Sequence, residues 1–353
     1  MKTRILIHFF FFLLLAGTTI SVFGQEVQEK TETEGKFDPS TFILEHIADS
    51  HEWHILTKKN GEGVAIYLPV ILYSKEKGLD LFSSRQLAHG NVYKGYKLEE
   101  QGELQGKIVN VSTDGAVDEV NLPLDLSMTK AVIGMLAAAI IGLVLFLSLS
   151  RSYRKSGVSY PRGIQSFLEP VVLFVRDDIA IPNIGLHKYE RYMPYLLSAF
   201  FFILINNLMG LIPVPPPFGA NVTGNIAVTF VMATCTFVIT QFSGNKAYWK
   251  HVFAAPGVPF WLLPIMIPVE IIGLFSKPFA LMIRLFANIT AGHIIVLSLI
   301  CLIFIFNSLS VAPVSVFFVL FMDFLELLVA FLQAYIFTLL SSLFIGMAVQ
   351  ENH

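Results

Sequence analysis

Between Pro278 and His293 the chain reads PFALMIRLFANITAGH, with one arginine, Arg284, set in an apolar run long enough to lie inside a bilayer. A guanidinium cannot shed its charge in a protein. Placing it mid-helix in hydrocarbon costs roughly 2.5 to 3.5 kcal/mol even on the most lenient insertion scale. An ionisable residue kept there against that cost marks a functional position. Lys277 lies one heptad earlier, Glu270 another heptad before that, and Asn288 follows Arg284 at i+4. At about 100° per residue all four fall on one side of a helix, so a polar stripe runs through an otherwise greasy segment.

Two further groups of residues have types that could do chemistry. The final apolar segment carries Asp323, Glu326 and Gln333. Near the other end, HIADSHEWH places His46, Asp49, His51 and His54 in nine residues, which is zinc-ligand chemistry if the fold gathers them. The plainer reading is a helix or loop with solvated histidines. Neutral Asn206, Asn207 and Asn225 lie in apolar spans, where amides ordinarily hydrogen-bond between helices.

The elements that must position these groups are membrane helices. With 54% hydrophobic and 14% charged residues and a mean hydropathy of +0.66, the chain is far more apolar than a soluble globular protein. A net charge of −2 gives no reason to expect nucleic acid or an acidic partner. Both cysteines, Cys235 and Cys301, fall in apolar runs and read as packing residues rather than a disulfide.

Residues 1–24 have the layout of a secretory signal: Lys2 and Arg4, an apolar core from Ile5 to Ala16, then Val22-Phe23-Gly24 as a small-residue cleavage site. An uncleaved first membrane helix is the alternative, and either way the following segment is exported. Residues 25–127 are polar, with GVAIYLPVILY (Gly63–Tyr73) and KIVNVS (Lys107–Ser112) as expected strands. They predict a small extracytoplasmic domain of mixed or β character.

Residues 128–353 form the expected membrane domain. A first span, Ala131–Leu149, is followed at once by Arg151, Arg154 and Lys155, which assigns that end to the cytoplasm. From Arg162 to Ala180, Ile164, Phe167, Leu168, Val171, Val172 and Val175 recur at helical spacing, with Gln165, Glu169 and Arg176 on the other face. That pattern suits a helix lying in the interface or packed on a neighbouring subunit, kinked by Pro170. A second span runs from about Met193 to Pro213. A third, from about Asn225 to Phe242, leads to Lys246 and Lys250 and again marks the cytoplasmic side. Pro259 to Phe306 is too long for one upright helix. Either Pro264, Pro268 and Pro278 divide it into two spans, or it is one steeply tilted helix. Ser315–Val349 has the same excess length.

SKPFALMIRLFANITAGH, together with LQAYIFTLLSSLFIGMA (Leu332–Ala348), resembles the a subunit of rotary F-type ATP synthases, from about Ala131 to the end. The resemblance implies an all-α polytopic membrane protein of about five membrane helices, the last two long and tilted, plus an interfacial helix. It implies that Arg284 matches the family's essential arginine, Asn288 its accompanying asparagine and Gln333 the glutamine opposite. Glu270 matches an acidic residue toward the cytoplasm, and His293 and Glu326 match the pair lining the outer access channel. Implied partners are the c-ring, the b subunit of the peripheral stalk, the rest of the complex and the lipid bilayer, with no cofactor and no active site for ATP chemistry. The implied location is a bacterial inner membrane, N-terminal domain outside and C-terminus cytoplasmic. The chain departs from better-known members in its exported domain and in Gly210, where some relatives carry an acid.

The spacing adds a geometric expectation. If the last two segments run antiparallel with Arg284 level with Gln333, His293 lies ~13.5 Å along one helix and Glu326 ~10.5 Å along the other, at nearly one depth. His293, nine residues from Arg284, faces the opposite way. A secondary transporter would also bury charges, yet its internal repeats are missing from this pattern. A plain anchor for the exported domain would have no use for Arg284.

Overall fold

The computed structural model describes residues 39–57, 63–75, 77–99, 104–111, 117–118, 121–156, 163–212, 216–253, 260–306 and 310–350. The expected signal, residues 1–24, lies outside them. Among the described residues the N-terminal part comprises helix α1 (Pro39–Ile47) and eight short strands: β1 (Glu52–Thr57), β2 (Gly63–Tyr67), β3 (Pro69–Ser74), β4 (Gly78–Ser83), β5 (Tyr96–Leu98), β6 (Ile108–Val111), β7 (Val117–Asp118) and β8 (Leu124–Asp125). They form three small antiparallel sheets, β1-β2, β4-β3-β8 and β5-β6-β7. The run Gly63–Tyr73, expected as strand, is two strands in different sheets. Pro69, which has no N–H to give a ladder, opens β3. Alternation then buries Val70 and Leu72 beside Leu87, Tyr96 and Ile108, a core separate from that of the membrane helices.

Helix α2 (Lys130–Ser156) is the first span; α3 (Ile164–Phe174) runs through a π-helical stretch, Val175–Ala180, into α4 (Ile181–Ile184). Then come α5 (Tyr189–Leu211), α6 (Ile226–Ser243), the short α7 (Lys246–Phe253), α8 (Leu263–Phe306) and α9 (Ala312–Val349). Five of these, α2, α5, α6, α8 and α9, are long and apolar enough to cross a membrane. The long segment is not divided: α8 is one helix of 44 residues that passes through Pro268 and Pro278. At 1.5 Å per residue it is about 66 Å long, roughly twice the ~30 Å hydrocarbon core of a bilayer.

The bundle core centres on α5, whose Leu196, Ala199, Phe200 and Ile203 are fully buried. α5 packs extensively on α9, and hydrogen bonds stitch the helices. Tyr195 bonds Thr236 of α6, which reaches Ser341 of α9. Asn207 donates to the Ala330 carbonyl at 3.2 Å and accepts from Thr223 at 2.6 Å. Asn207 therefore plays the expected interhelical role, but Asn206 bonds its own helix at Phe202 O and Asn225 caps α6 by accepting from Ala227 N. Cys235 and Cys301 are buried and free.

Gln165 differs from its expected position on the polar face: it is buried, accepting from Ser152 of α2 at 2.6 Å, because α2 supplies a hydroxyl there. α3 and the π-helical stretch pack on α2, α5 and α9 of the same chain, with Ile164 and Phe167 left exposed.

The N-terminal part is fastened to the start of α2. Asp49 Oδ1 accepts from Ala131 N at 3.0 Å, and the Ser50 carbonyl accepts from Lys130 N at 3.0 Å. His51 meets Asp125 at 2.9 Å, and Trp53 is buried in the core of the membrane helices. Burial pushes the Asp49 carboxyl up, against the pull of the Ala131 amide. These partners divide the histidine-rich run. Among the described residues no group of three potential ligands is placed to hold a metal ion. The His54 side chain lies outside the described residues.

Candidate functional site

α8 and α9 pack against each other and carry all six residues that the family resemblance picks out: Glu270, Arg284, Asn288, His293, Glu326 and Gln333. Arg284 sits midway along α8 and is exposed, as are Lys277 and Asn288; Glu270 is partly buried. No carboxylate lies within ion-pair distance of Arg284 among the described residues, and no hydrogen bond joins it to Gln333, which is buried on α9. The stripe is thus a surface of this chain, open along most of its length.

The opposite side of α8 is different. His293 Nδ1 lies 3.3 Å from Glu326 Oε1 of α9; the side chains are 21% and 6% exposed. The contact is close enough for an ion pair but is not aligned as a hydrogen bond, and Glu326 Oε1 has no hydrogen-bond partner among the described residues. A buried carboxylate oxygen without a fixed donor is free to take a proton from a neighbour. The depth-matching of His293 and Glu326 expected from helix rise is met.

Two glycines shape this pair. A Cβ on Gly292 would stand 2.6 Å from Glu326 Oε1, so the carboxylate as placed would have to shift to admit one. Gly210 of α5 faces the same place: a Cβ there would be 3.7 Å from His293 Nε2. Gly210 therefore adjoins His293, and Glu326 of α9 brings a carboxylate to the same histidine. Gly292 has a readable signal in hindsight, a glycine beside a histidine inside an apolar helix.

Toward the N-terminal half of α8, a cleft between helices is lined by Thr240, Gln241, Tyr248, Lys277 and Phe344. Lys277 Nζ stands 5.7 Å from the Phe344 ring. The Tyr248 hydroxyl bonds Gln241. Burial raises the Tyr248 phenol, the Gln241 bond opposes this, and the charge of nearby Glu270 raises it further. Gln241 and Tyr248 were not singled out from sequence, since they flank a loop where no periodicity marks them.

Arg284 thus lies between two polar places on α8, one around His293 and Glu326 and one around Glu270 and Tyr248. Residues 132–346, more than half of the chain, match the family described as ATP synthase A chain. The chain belongs to that family, the membrane-sector a subunits of F-type ATP synthases. It is 50% identical to ATP synthase subunit a of Chloroherpeton thalassium over 236 residues, 65% of this chain and 69% of that one. Identity is also 50% to the subunit a of Myxococcus xanthus over 237 residues, 65% of this chain and 75% of the relative. With ATP synthase subunit a 2 of Chlorobaculum tepidum it is 50% over 247 residues, 66% and 68% respectively. As a family member the chain is a multi-pass membrane protein of the ATP synthase complex. Residues 42–127 match a second family, described as Domain of unknown function (DUF8433).

Proposed function

We propose that this chain is the proton-channel stator, giving a rotor carboxylate on the c-ring one half-channel from outside and another to the cytoplasm. The observation that carries the reading is Arg284: a permanent charge midway along a membrane-length helix, exposed, with no carboxylate in ion-pair reach among the described residues. Facing lipid alone it would be a standing cost of a few kcal/mol. Facing a partner's carboxylate it is paired.

A proton enters from outside past His293 and Glu326 and neutralises a rotor carboxylate, which can then turn into lipid. After rotation it leaves toward the cytoplasm near Glu270, with Tyr248 and Gln241 beside the path. Arg284 pairs with the deprotonated rotor site and, because its guanidinium does not relay protons, keeps the half-channels apart. Asn288 lies on the same exposed face, and Gln333 is buried on α9. The potential supplies ~2.3 kcal/mol per proton per 100 mV, all of it lost through any leak between the half-channels.

In this reading residues 25–127 are extracytoplasmic, 1–24 are a signal and α3 lies at the cytoplasmic interface. The b subunit holds the chain against rotation in a bacterial inner membrane. The chain itself performs no ATP chemistry. The test is purification of the tagged chain from solubilised membranes: a c-ring, peripheral stalk and ATPase head should come with it. Recovery without a c-ring would remove the partner Arg284 requires.

A further inference from the structure

A further titratable side chain, His46 from the far end of the sequence, stands on helix α1, which packs on α8, the helix of His293. Just beyond the end of α1, Asp49, Ser50 and Trp53 are fixed to the start of α2 and to the membrane core. α1 is therefore held against α8 at the end of the bundle where α2 begins. His46 on α1 is exposed and stacked on Phe42, ring centroids 5.9 Å apart. It lies near enough to His293 for the charge of one imidazole to act on the other. Exposure thus rises in steps from Glu326 at 6%, through His293 at 21%, to His46 in the open.

We propose that the N-terminal domain caps the outer half-channel and that its His46 is the proton-collecting residue, passing protons between bulk water and His293. The inference rests on the reading of His293 and Glu326 as the outer half-channel. Near neutral pH free protons are scarce, and imidazole is the side chain that ordinarily gains and loses one in that range. Held at the water boundary, it can be charged by any buffer and discharged to His293. The titratable groups behind it are His293 on α8 and Glu326 and Asp323 on α9; Asp323 is exposed and bears electrostatically on Glu326. The fastening of Asp49, Ser50 and Trp53 then has a purpose, since it fixes α1 over the place where α8 and α9 open. No metal is required, and the role concerns a region matched only to a domain of unknown function.

The test uses the whole complex reconstituted so that the N-terminal domain faces the vesicle lumen. ATP synthesis is driven by an imposed potential, and rates are expressed per assembled complex by immunoblot. With a poorly buffered lumen, His46→Ala and His46→Gln should each slow synthesis about tenfold. That is less than the roughly hundredfold loss of a reacting acid–base group, because water remains an alternative carrier. Imidazole in the lumen should restore both variants while leaving the unsubstituted complex unchanged, a rescue that repair of packing would not give. Unimpaired synthesis in the poorly buffered lumen, or a loss that imidazole does not relieve, would overturn the proposal. His293→Ala keeps the two readings distinct: if it also ran at full rate, the outer half-channel itself would be misassigned. If it failed while the His46 variants ran normally, only the cap would fall.

Discussion

The two short inner spans and the two long outer helices are all apolar but use their surfaces in opposite ways. In the most apolar stretch of α5, 67% of residues are buried within the chain, and in α6 50%; in α8 the figure is 11% and in α9 17%. Hydropathy alone reverses the expected ranking, since α8 and α9 are the more hydrophobic. α5 spends its surface on α9 and α2, and α6 spends its own on one side of α8 and of α9, which fixes the fold. α8 and α9 keep most of theirs for lipid and for another subunit, and the charged stripe lies on that uncovered surface. Stability and function are therefore carried by different faces of the bundle, since the buried sides of α8 and α9 belong to the core.

That separation can be broken first at its strongest point. Phe200 on α5 is fully buried, and Phe200→Ala should cost about 3 to 5 kcal/mol of packing. The expected outcome is a large fall in assembled subunit on immunoblot, with near-normal activity in whatever assembles. Arg284→Lys should do the reverse, assembling normally while losing ATP synthesis, because the fork that pairs a carboxylate is gone. If both variants lost assembly alike, the two regions would not be functionally distinct.

Gly292→Ala sharpens the comparison, because it puts a methyl on Glu326 without touching α5 or α6. Overpacking of about 1 to 3 kcal/mol should fall on the carboxylate's position. ATP-driven pumping should drop well below what subunit content explains. Pumping in proportion to content would make the glycine a packing residue only.

A subtler effect is the coupling of His293 and Glu326. If the 3.3 Å contact works as a unit, His293→Ala and Glu326→Ala should each reduce pumping, and the double variant should lose less than the two losses combined. A coupling of roughly 0.5 to 3 kcal/mol in the barrier is the expected size. Strictly additive losses would mean two neighbours without a shared task.

Much of this site was legible in the sequence because helices have fixed rise and rotation. Residue type and i+4 or heptad spacing place Arg284, Lys277 and Asn288 on one face, and counting along two antiparallel helices brings His293 to the depth of Glu326. What spacing could not supply is partner choice. Gln165 looks solvent-facing until α2 offers Ser152, and Asn225 reads as an interhelical amide although it immediately precedes α6 and caps it. The N-terminal sheets were legible only as strand propensity, since strands of two to six residues carry too few alternations to specify which pairs with which. The meeting of α1 with α8 is longer-range still, and no local pattern near His46 announces it.

The central claim is that Arg284 keeps two half-channels from joining, and passive proton flux through Arg284→Ala tests it most directly. Membrane vesicles carrying the variant complex are given an imposed potential without nucleotide, proton movement is followed with a pH-sensitive dye, and subunit content is checked by immunoblot. The account predicts full assembly, no ATP-driven pumping, and a passive leak well above that of the unsubstituted complex. Full assembly with retained ATP-driven pumping and no leak would contradict it.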